Sequence, residues 1–288
     1  MKAVFLLIAT NLGVMAVLSL VLQILGISQM LNQSGMNMQN LLIYASIYGF
    51  AGSFISLLIS KSLAKRQMRV QLIDAGTSNP SERWLYDTVK RQAEKSGVGM
   101  PEVGIFQQPA PNAFATGHNK DAALVAVSTG LLQHMNADEI EAVLGHEMAH
   151  VKNGDMVTSA LIQGTINAFV IVFASLISSL LARGNRRQSG AAFHGTYMLL
   201  QMLLGFLGSM VVMWHSRHRE FAADRGGAEL AGKHKMIAAL RRLEQTQAAG
   251  AQGALAKDFK AFGIVPMSGL FSTHPPLAKR IAALEQNL

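Results

Sequence analysis

The sequence predicts a mainly α-helical integral membrane protein that also contains an α+β domain with a small sheet. Of the 288 residues, 50% are hydrophobic and only 15% are charged, well below the usual quarter of a soluble domain. The uncharged residues are concentrated in long runs that are paired along the chain. The segments between and after these runs show the polar helices and short strands of a folded domain.

The composition also narrows the classes of partner. A net charge of +8 is compatible with nucleic-acid binding, but the basic residues are not interleaved with aromatic ones. Many of them flank apolar runs, where Lys and Arg set membrane orientation and contact anionic lipid. We therefore expect a lipid bilayer and no nucleic acid. Because the chain has no cysteine, it has neither disulfides nor a thiolate metal site.

Residues 1–60 are predicted to form a membrane helical hairpin. The run Val4–Leu25 is longer than a signal-peptide core and lacks a small-residue cleavage site, so we interpret it as a retained anchor. A second run, Leu41–Ser60, follows an uncharged loop. Basic residues come directly after it, and the positive-inside rule places them in the cytoplasm: Lys61, Lys65, Arg66 and Arg69.

Residues 156–215 are predicted to form a second apolar hairpin, built from the runs Met156–Ala182 and Tyr197–Trp214. Its connecting loop contains three arginines, which the positive-inside rule would also keep in the cytoplasm. Because early helices usually dominate orientation, we favour a hairpin that spans the membrane. The alternative is a buried or re-entrant hairpin that packs on the soluble domain.

This hairpin divides the soluble domain into residues 61–155 and residues 216–288, which must meet in space. The first part has a polar-faced helix that ends before Gly97 and a turn with the sequence "GHNKD" between two strands. The predicted elements are a helix over Glu82–Ser96 and strands over Val103–Phe106, Ala113–Ala115 and Ala123–Val127.

The stretch "GHEMAHVKNGD" contains the spacing H-E-x-x-H on a predicted helix. Residues i and i+4 share one helix face, so His146 and His150 can direct their nitrogens at one metal ion. Glu147 is adjacent and can take a proton from a water molecule at that ion. Asn136 is a suitable N-cap with Glu139 at the capping-box position. The alternative is an amphipathic helix with surface histidines.

A third ligand is expected in "SRHREFAADRGG", where Glu220 and Asp224 are also four residues apart. One carboxylate can bind the metal while the other holds a ligand histidine from outside. We predict that Asp224 contacts the outer nitrogen of His146. His215 and His218 are competing ligands, and otherwise form a basic pair at the membrane interface. Asp155 is a boundary charge or an ion-pair partner, and the sequence assigns it no chemistry.

Four motifs together make the chain resemble a known family: "HEMAHVKNGD", "NAFATG", "SRHREFAAD" and "THPP", in this order. The resemblance covers nearly the whole chain and is to the bacterial membrane zinc metalloproteases, which belong to the same peptidase family as the CAAX prenyl proteases. It implies a gluzincin-like (zincin) protease domain with one Zn²⁺ per chain. His146, His150 and Glu220 would then bind the zinc, and Glu147 would be the general base.

The remaining motifs suit the same chemistry. Asn112, Ala113, Phe114 and Ala115 look like the family's edge strand, whose free backbone groups can pair with an extended substrate. The alternative is an ordinary structural strand. His274 precedes two prolines, with Arg280 nearby in sequence, and can stabilise an oxyanion beside the zinc. A structural role in the turn is the alternative for His274.

The resemblance implies a zinc metalloendopeptidase of the bacterial inner membrane with its active site facing the cytoplasm. Its expected substrates are misfolded or damaged membrane proteins, cut at their cytoplasmic regions as part of a stress response. Self-cleavage and quality-control partners are further expectations. The alternatives are a membrane zinc-binding, chaperone-like scaffold and a CAAX-type prenyl-protein protease. An intramembrane protease is disfavoured because the H-E-x-x-H helix is charged, and a transporter because the apolar runs contain almost no ionisable residues.

Overall fold

The computed structural model describes residues 37–182, 189–252 and 274–286, together with residues 13, 16–17, 19–20, 22–24 and 26. The helices, in chain order, are α1 Met38–Gln67, α2 Pro80–Ser96, α3 Thr129–His134, α4 Ala137–Asn153, α5 Asp155–Ala182, α6 Ser189–Ala231, α7 Lys233–Gln252 and α8 Leu277–Gln286. The strands are β1 Gln71–Leu72, β2 Glu102–Phe106, β3 Ala113–Gly117 and β4 Ala123–Ser128. The mainly helical class with a small sheet is confirmed.

The chain divides into two compact units. The helical unit consists of Met1–Leu57 and Thr158–Val212, and the sheet unit of Leu58–Val157 and Met213–Leu288. Each unit is therefore made of two separate stretches of chain.

The helical unit is built from apolar helices. Three described helices are long and apolar enough to cross a membrane, namely Met38–Gln67, Asp155–Leu181 and Phe193–Ala231. Its buried cluster joins the start of α1 to the middle of α5 and contains Leu22, Met38, Leu41, Leu42, Ala45, Ile171, Val172 and Leu176. The predicted run Val4–Leu25 lies mostly outside the described residues, and its described positions are helical.

The sheet has the strand order β1-β2-β4-β3, which places β3 at one edge. Strand β4 is buried along its whole length and pairs parallel with β2 and antiparallel with β3. The three predicted strands are confirmed, each extended by one or two residues. Strand β1, only two residues long, was not predicted because two residues are too few to show a periodic pattern.

Helices α2, α4, α7 and α8 pack around this sheet. Their shared apolar core includes Leu85, Val89, Val125, Leu131, Leu144, Met148, Met236, Leu240 and Ile281. Full burial of each such side chain contributes about 1.5–3 kcal/mol. Helix α4 lies in the middle of this core, so apolar contacts on several sides fix its position.

Local sequence determines where α4 begins and ends. Asn136 Oδ1 accepts from the Glu139 backbone N–H and Glu139 Oε2 accepts from the Asn136 N–H, both at 2.9 Å, which completes the predicted capping box. Gly154 ends the helix in the left-handed region with φ 68°. Helix α2 begins two residues earlier than predicted, because Asn79 caps it and Pro80 occupies the first turn.

Helix α6 continues without a break from the apolar run 197–214 into the motif around Glu220. No glycine or proline interrupts the sequence between Trp214 and Asp224, so nothing stops the helix at residue 215. The same helix therefore contains a membrane-capable run and the predicted third ligand.

Candidate metal centre

Small residues bring α4 and α6 close together in the sheet unit. A Cβ on Gly145 would lie 3.2 Å from the carbonyl oxygen of Gly227, and a Cβ on Gly227 would lie 2.9 Å from the backbone nitrogen of His146. Larger side chains at these positions would hold the helices apart. The close approach lets side chains one and two turns earlier on α6 reach the histidine face of α4.

Three side chains converge at this crossing. The Nε2 atoms of His146 and His150 are 3.2 Å apart. Glu220, which is only 3% exposed, places Oε2 at 3.6 Å from Nε2 of His146 and Oε1 at 3.5 Å from Nε2 of His150. In the described part of the chain the converging group consists of these three residues, and neither His215 nor His218 belongs to it. The Nδ1 atom of His218 is instead 2.9 Å from the carbonyl oxygen of Trp214.

The outer nitrogens of both histidines face carboxylates. His146 Nδ1 lies 3.0 Å from Asp224 Oδ1, which is the predicted contact, and His150 Nδ1 lies 2.5 Å from Asp155 Oδ2. A carboxylate at Nδ1 favours the tautomer with the proton on that nitrogen, which leaves the Nε2 lone pair free. Both lone pairs and the Glu220 carboxylate then point at one place, an arrangement that can hold a metal ion.

The spacing of these three groups suits a single tetrahedral ion. Two ligand atoms that each lie about 2.0–2.1 Å from a tetrahedral zinc ion are about 3.3 Å from one another. The observed separations are 3.2, 3.5 and 3.6 Å. Three protein ligands would leave a fourth position open, as in catalytic rather than structural sites.

Electrostatics at this point also favour positive charge. Burial lowers the pKa of the His150 imidazole, but contacts with Asp155 and Glu220, with a further contribution from the charge of Glu147, outweigh it and raise that pKa to about 10. For His146 burial again lowers the pKa, and Asp224 and Glu220 outweigh it and raise the pKa above its usual value. A metal-free centre thus takes up protons, which a metal ion would replace.

The C-terminal part of the chain completes the surroundings of Glu220. Arg280 on α8, 6% exposed, donates from Nε and Nη2 to Asp224 at 2.7 and 2.6 Å, and its Nη1 is 3.2 Å from Glu220 Oε2. His274 places Nδ1 at 2.7 Å from the same Glu220 oxygen, with a side chain that is 61% exposed. The motif "THPP" therefore brings His274 to the centre. The sequence showed Arg280 near His274 but no role for it, because its partners are more than fifty residues away.

Glu147 is half-buried on α4, one residue after His146. Its negative charge contributes to raising the pKa of both His150 and Arg280. Its position is compatible with the role of a general base, and that role stays a prediction.

The predicted substrate strand is β3 at the edge of the sheet. The Ser128 N–H donates to the Asn112 carbonyl at 2.8 Å, so hydrogen-bonded pairs with β4 alternate from there, and Ala113 and Ala115 direct their backbone groups away from β4. The side chain of Asn112 is bound to Gln108 at 3.1 Å. The Phe114 ring packs on the ring of Phe106 at 5.3 Å. Substrate pairing at this edge remains a prediction.

The chain is similar in sequence to known peptidases over most of its length. The family model described as Peptidase family M48 matches residues 79–288. Protease HtpX of Thioalkalivibrio sulfidiphilus is 52% identical, with 99% of each chain covered. Protease HtpX of Idiomarina loihiensis is 51% identical over 99% of each chain, and that of Nitrosococcus oceani is 52% identical over 98%.

A solved structure supports the fold. The crystal structure of S. mikatae Ste24p aligns with a TM-score of 0.63 at 15% identity, covering 99% of this chain and 67% of that one. At this identity the likeness concerns the fold alone.

Proposed function

The chain belongs to peptidase family M48, and on that basis we propose that it is a zinc-dependent endopeptidase of the bacterial inner membrane. Membership of the family makes it a membrane metalloprotease, with three described helices able to cross a bilayer. The observation that carries the proposal is the convergence of His146, His150 and Glu220 beside Glu147. In the proposed site the first three bind Zn²⁺ and Glu147 is the general base.

Zinc, when bound there, supplies Lewis acidity that acidifies a water molecule and polarises a peptide carbonyl. Glu147 accepts a proton from the attacking water as its oxygen bonds to the carbonyl carbon. The same carboxylate then delivers that proton to the amide nitrogen as the C–N bond breaks. Asp224 and Asp155 keep the Nδ1 protons of His146 and His150 in place throughout.

His274 and the edge of β3 supply substrate contacts in this proposal. The exposed imidazole of His274, next to Glu220, is placed to donate a hydrogen bond to the oxyanion that forms on the attacked carbonyl. The backbone groups of Ala113 and Ala115 that point away from β4 can pair with an extended segment of substrate. Because backbone pairing reads few side chains, we expect broad selectivity.

The sequence supports a cytoplasmic location of the active site. The cations after Leu41–Ser60 favour the cytoplasmic side for the segment that leads into the domain. Misfolded or damaged membrane proteins expose loops and tails at that surface, which makes them the proposed substrates. Self-cleavage and cooperation with other quality-control proteins belong to the same proposal.

A paired measurement of zinc content and cleavage tests the proposal, with the purified full-length chain and an unfolded membrane-protein substrate. Glu147→Gln is expected to retain Zn²⁺ and lose cleavage, because only the proton acceptor is removed. Glu94→Gln, at an exposed position of α2, is the matched control and should behave as wild type. Equal cleavage by the Glu147 variant and wild type would exclude Glu147 as the base.

A second set of variants tests the third ligand. Glu220→Gln is expected to lose Zn²⁺, whereas His215→Ala and His218→Ala should keep it, since neither histidine belongs to the converging group. Normal zinc content in the Glu220 variant, with loss in either histidine variant, would move the third ligand to that histidine.

The two alternative interpretations of the sequence, a scaffold and a prenyl-protein protease, predict different results in the cleavage assay. A zinc-binding scaffold would bind Zn²⁺ without cleaving any unfolded substrate, and a prenyl-protein protease would cleave only prenylated peptides. Neither is favoured, because relatives of about this length with 51–52% identity are each named Protease HtpX.

A further inference from the structure

Asp155 lies where the two ligand-bearing helices meet, and it contacts both. Its side-chain Oδ2 is 2.5 Å from Nδ1 of His150. Its backbone carbonyl accepts a hydrogen bond from Arg219 Nη1 at 2.7 Å. The residue is only 7% exposed, so a carboxylate has been buried at this junction. Burial of a carboxylate costs free energy unless the carboxylate is paired, so its partners indicate why it is buried here.

The turn after α4 explains how the side chain of Asp155 contacts His150, five residues earlier in the chain. Gly154 caps α4 in the left-handed conformation, and its N–H is directed at the carbonyls of His150 and Val151. This conformation, at φ 68°, ends α4 and changes the chain direction within one residue, and it is one that glycine adopts without strain. Asp155 then begins α5 with its side chain beside the imidazole of His150.

The contact of Asp155 with Nδ1 of His150 matches the contact of Asp224 with Nδ1 of His146. A carboxylate at Nδ1 holds the ring in one orientation and leaves the Nε2 lone pair available for a metal. The two ligand histidines thus have separate carboxylate partners, one from α6 and one from the start of α5. The i, i+4 spacing of Glu220 and Asp224 pointed to one of them, whereas Asp155 has no such spacing signal.

The second contact joins His150 to the other ligand helix. Arg219 directly precedes Glu220 on α6, and its guanidinium is bound to the Asp155 carbonyl. One residue therefore orients His150 through its side chain and is held by the neighbour of Glu220 through its backbone. Displacement of Asp155 would move two of the three converging groups relative to each other.

We propose that Asp155 is a positioning residue of the metal centre, which fixes the His150 ring and its distance from Glu220. This inference rests on the proposed function only in assuming that His150 binds Zn²⁺. It assigns Asp155 no contact with substrate or with the metal.

The test measures Zn²⁺ affinity of the full-length chain in detergent by competition with a chelator. Asp155→Asn, which removes the charge at nearly constant size, is expected to weaken Zn²⁺ binding by about 10–100-fold, the usual effect of losing an outer partner of a ligand histidine. Asp224→Asn should weaken it to a similar degree. Asp87→Asn, at an exposed position of α2, is the matched control and should bind as wild type.

A spectroscopic measurement separates positioning from a general structural role. With Co²⁺ in place of Zn²⁺, the visible absorption bands report coordination geometry, and Asp155→Asn is expected to change them while Asp87→Asn does not. If Asp155→Asn does not fold, Asp155→Glu decides, because the displaced carboxylate should alter the Co²⁺ bands at full occupancy. Unchanged bands, or Zn²⁺ affinity within twofold of wild type for Asp155→Asn, would overturn the inference.

The outcome also distinguishes this inference from the proposed function. Wild type that binds Zn²⁺ and cleaves, beside an Asp155→Asn variant of equal affinity, contradicts only the role of Asp155. Wild type that binds no Zn²⁺ contradicts the proposed function itself.

Discussion

The Nδ1 atoms of His146 and His150 each face a buried carboxylate, and this determines where the centre holds its protons. A carboxylate at Nδ1 favours a proton on that nitrogen in both histidines. The protons that can be exchanged for a metal ion are therefore those on the two Nε2 atoms. Arg280 offsets part of the negative charge of Asp224 and Glu220, so these carboxylates can stay buried before any metal binds.

Zinc binding is expected to weaken as the pH is lowered. Burial lowers the pKa of metal-free His150, but Asp155 and Glu220 outweigh it and raise that pKa to about 10, so the free site is protonated at neutral pH. Zinc must displace that proton, and its apparent affinity should fall by about tenfold per pH unit for each proton displaced as the pH is lowered. Competition titrations at several pH values, corrected for protonation of the chelator, measure the slope. An affinity independent of pH would contradict the protonated free site.

At the scale of elements, strand β3 pairs with β4 on one side and forms the edge of the sheet on the other. Alternate residues pair with β4, and Ala113 and Ala115 direct their backbone groups outwards. The strand also contacts α4, the helix with His146 and His150. An extended substrate added at this edge would therefore run close to the proposed metal.

Ala115→Pro tests this edge, because proline removes the outward N–H while leaving the pairing of Phe114 and Thr116 with β4. Proline is tolerated at an edge strand where the N–H faces solvent. We expect kcat/KM to fall by about two- to tenfold with zinc content unchanged, since one backbone hydrogen bond contributes about 0.5–1.5 kcal/mol. Ala115→Val, which keeps the N–H, is the control. Unchanged cleavage by the proline variant would leave β3 as a structural strand.

Packing of α1 on α5 depends on a glycine in the helical unit. A Cβ on Gly49 would lie 2.7 Å from the backbone nitrogen of Ala168, which cannot move without shifting a helix. Gly49→Ala is therefore expected to destabilise the protein by about 1–3 kcal/mol through overpacking. Gly52→Ala, on the same helix with open space around it, should be neutral or slightly stabilising. Thermal unfolding in detergent compares the two, and equal melting temperatures would contradict the close contact.

At the scale of the whole molecule, both compact units are discontinuous in sequence, and three helices run from one set of residues into the other. The second apolar hairpin separates the residues of α4 from those of Glu220 and Asp224 along the chain. The candidate metal centre therefore joins stretches of chain from both sides of that hairpin. Family membership and the 0.63 TM-score to Ste24p agree with this arrangement as a family fold.

Membrane topology is the prediction at this scale, and the absence of cysteine makes it directly measurable. Single cysteines at Ser34, Ser78 and Asn185 can be labelled in spheroplasts with a membrane-impermeant maleimide. We expect labelling of Ser34→Cys from outside and of Ser78→Cys only after lysis, because the cations follow the second run. Asn185→Cys should be labelled from outside if the second hairpin spans. Labelling of Asn185→Cys only after lysis would favour the re-entrant alternative.

Local patterns predicted much of this protein. The capping residue Asn136, the stop at Gly154 and the apolar stripe between them predict α4, and the i, i+4 spacing puts His146 and His150 on one face of it. Charge-free runs predict the long helices, because a bilayer-spanning helix needs about twenty apolar residues and little else. Signals of this kind act between near neighbours in the chain, so the sequence alone determined α2, α4, the long apolar helices, strands β2 to β4 and the two-histidine motif.

Only the tertiary structure decided how the other parts meet that motif. The approach of α6 to α4 depends on Gly145 and Gly227, which are far apart in sequence, and it brings Glu220 between the two histidines while Asp224 stays outside. The burial of Arg280 against Asp224 and the return of Asp155 to His150 follow from the same packing. The physical reason is that spacing along a helix specifies a face, whereas the partner of that face is chosen by close packing over the whole domain.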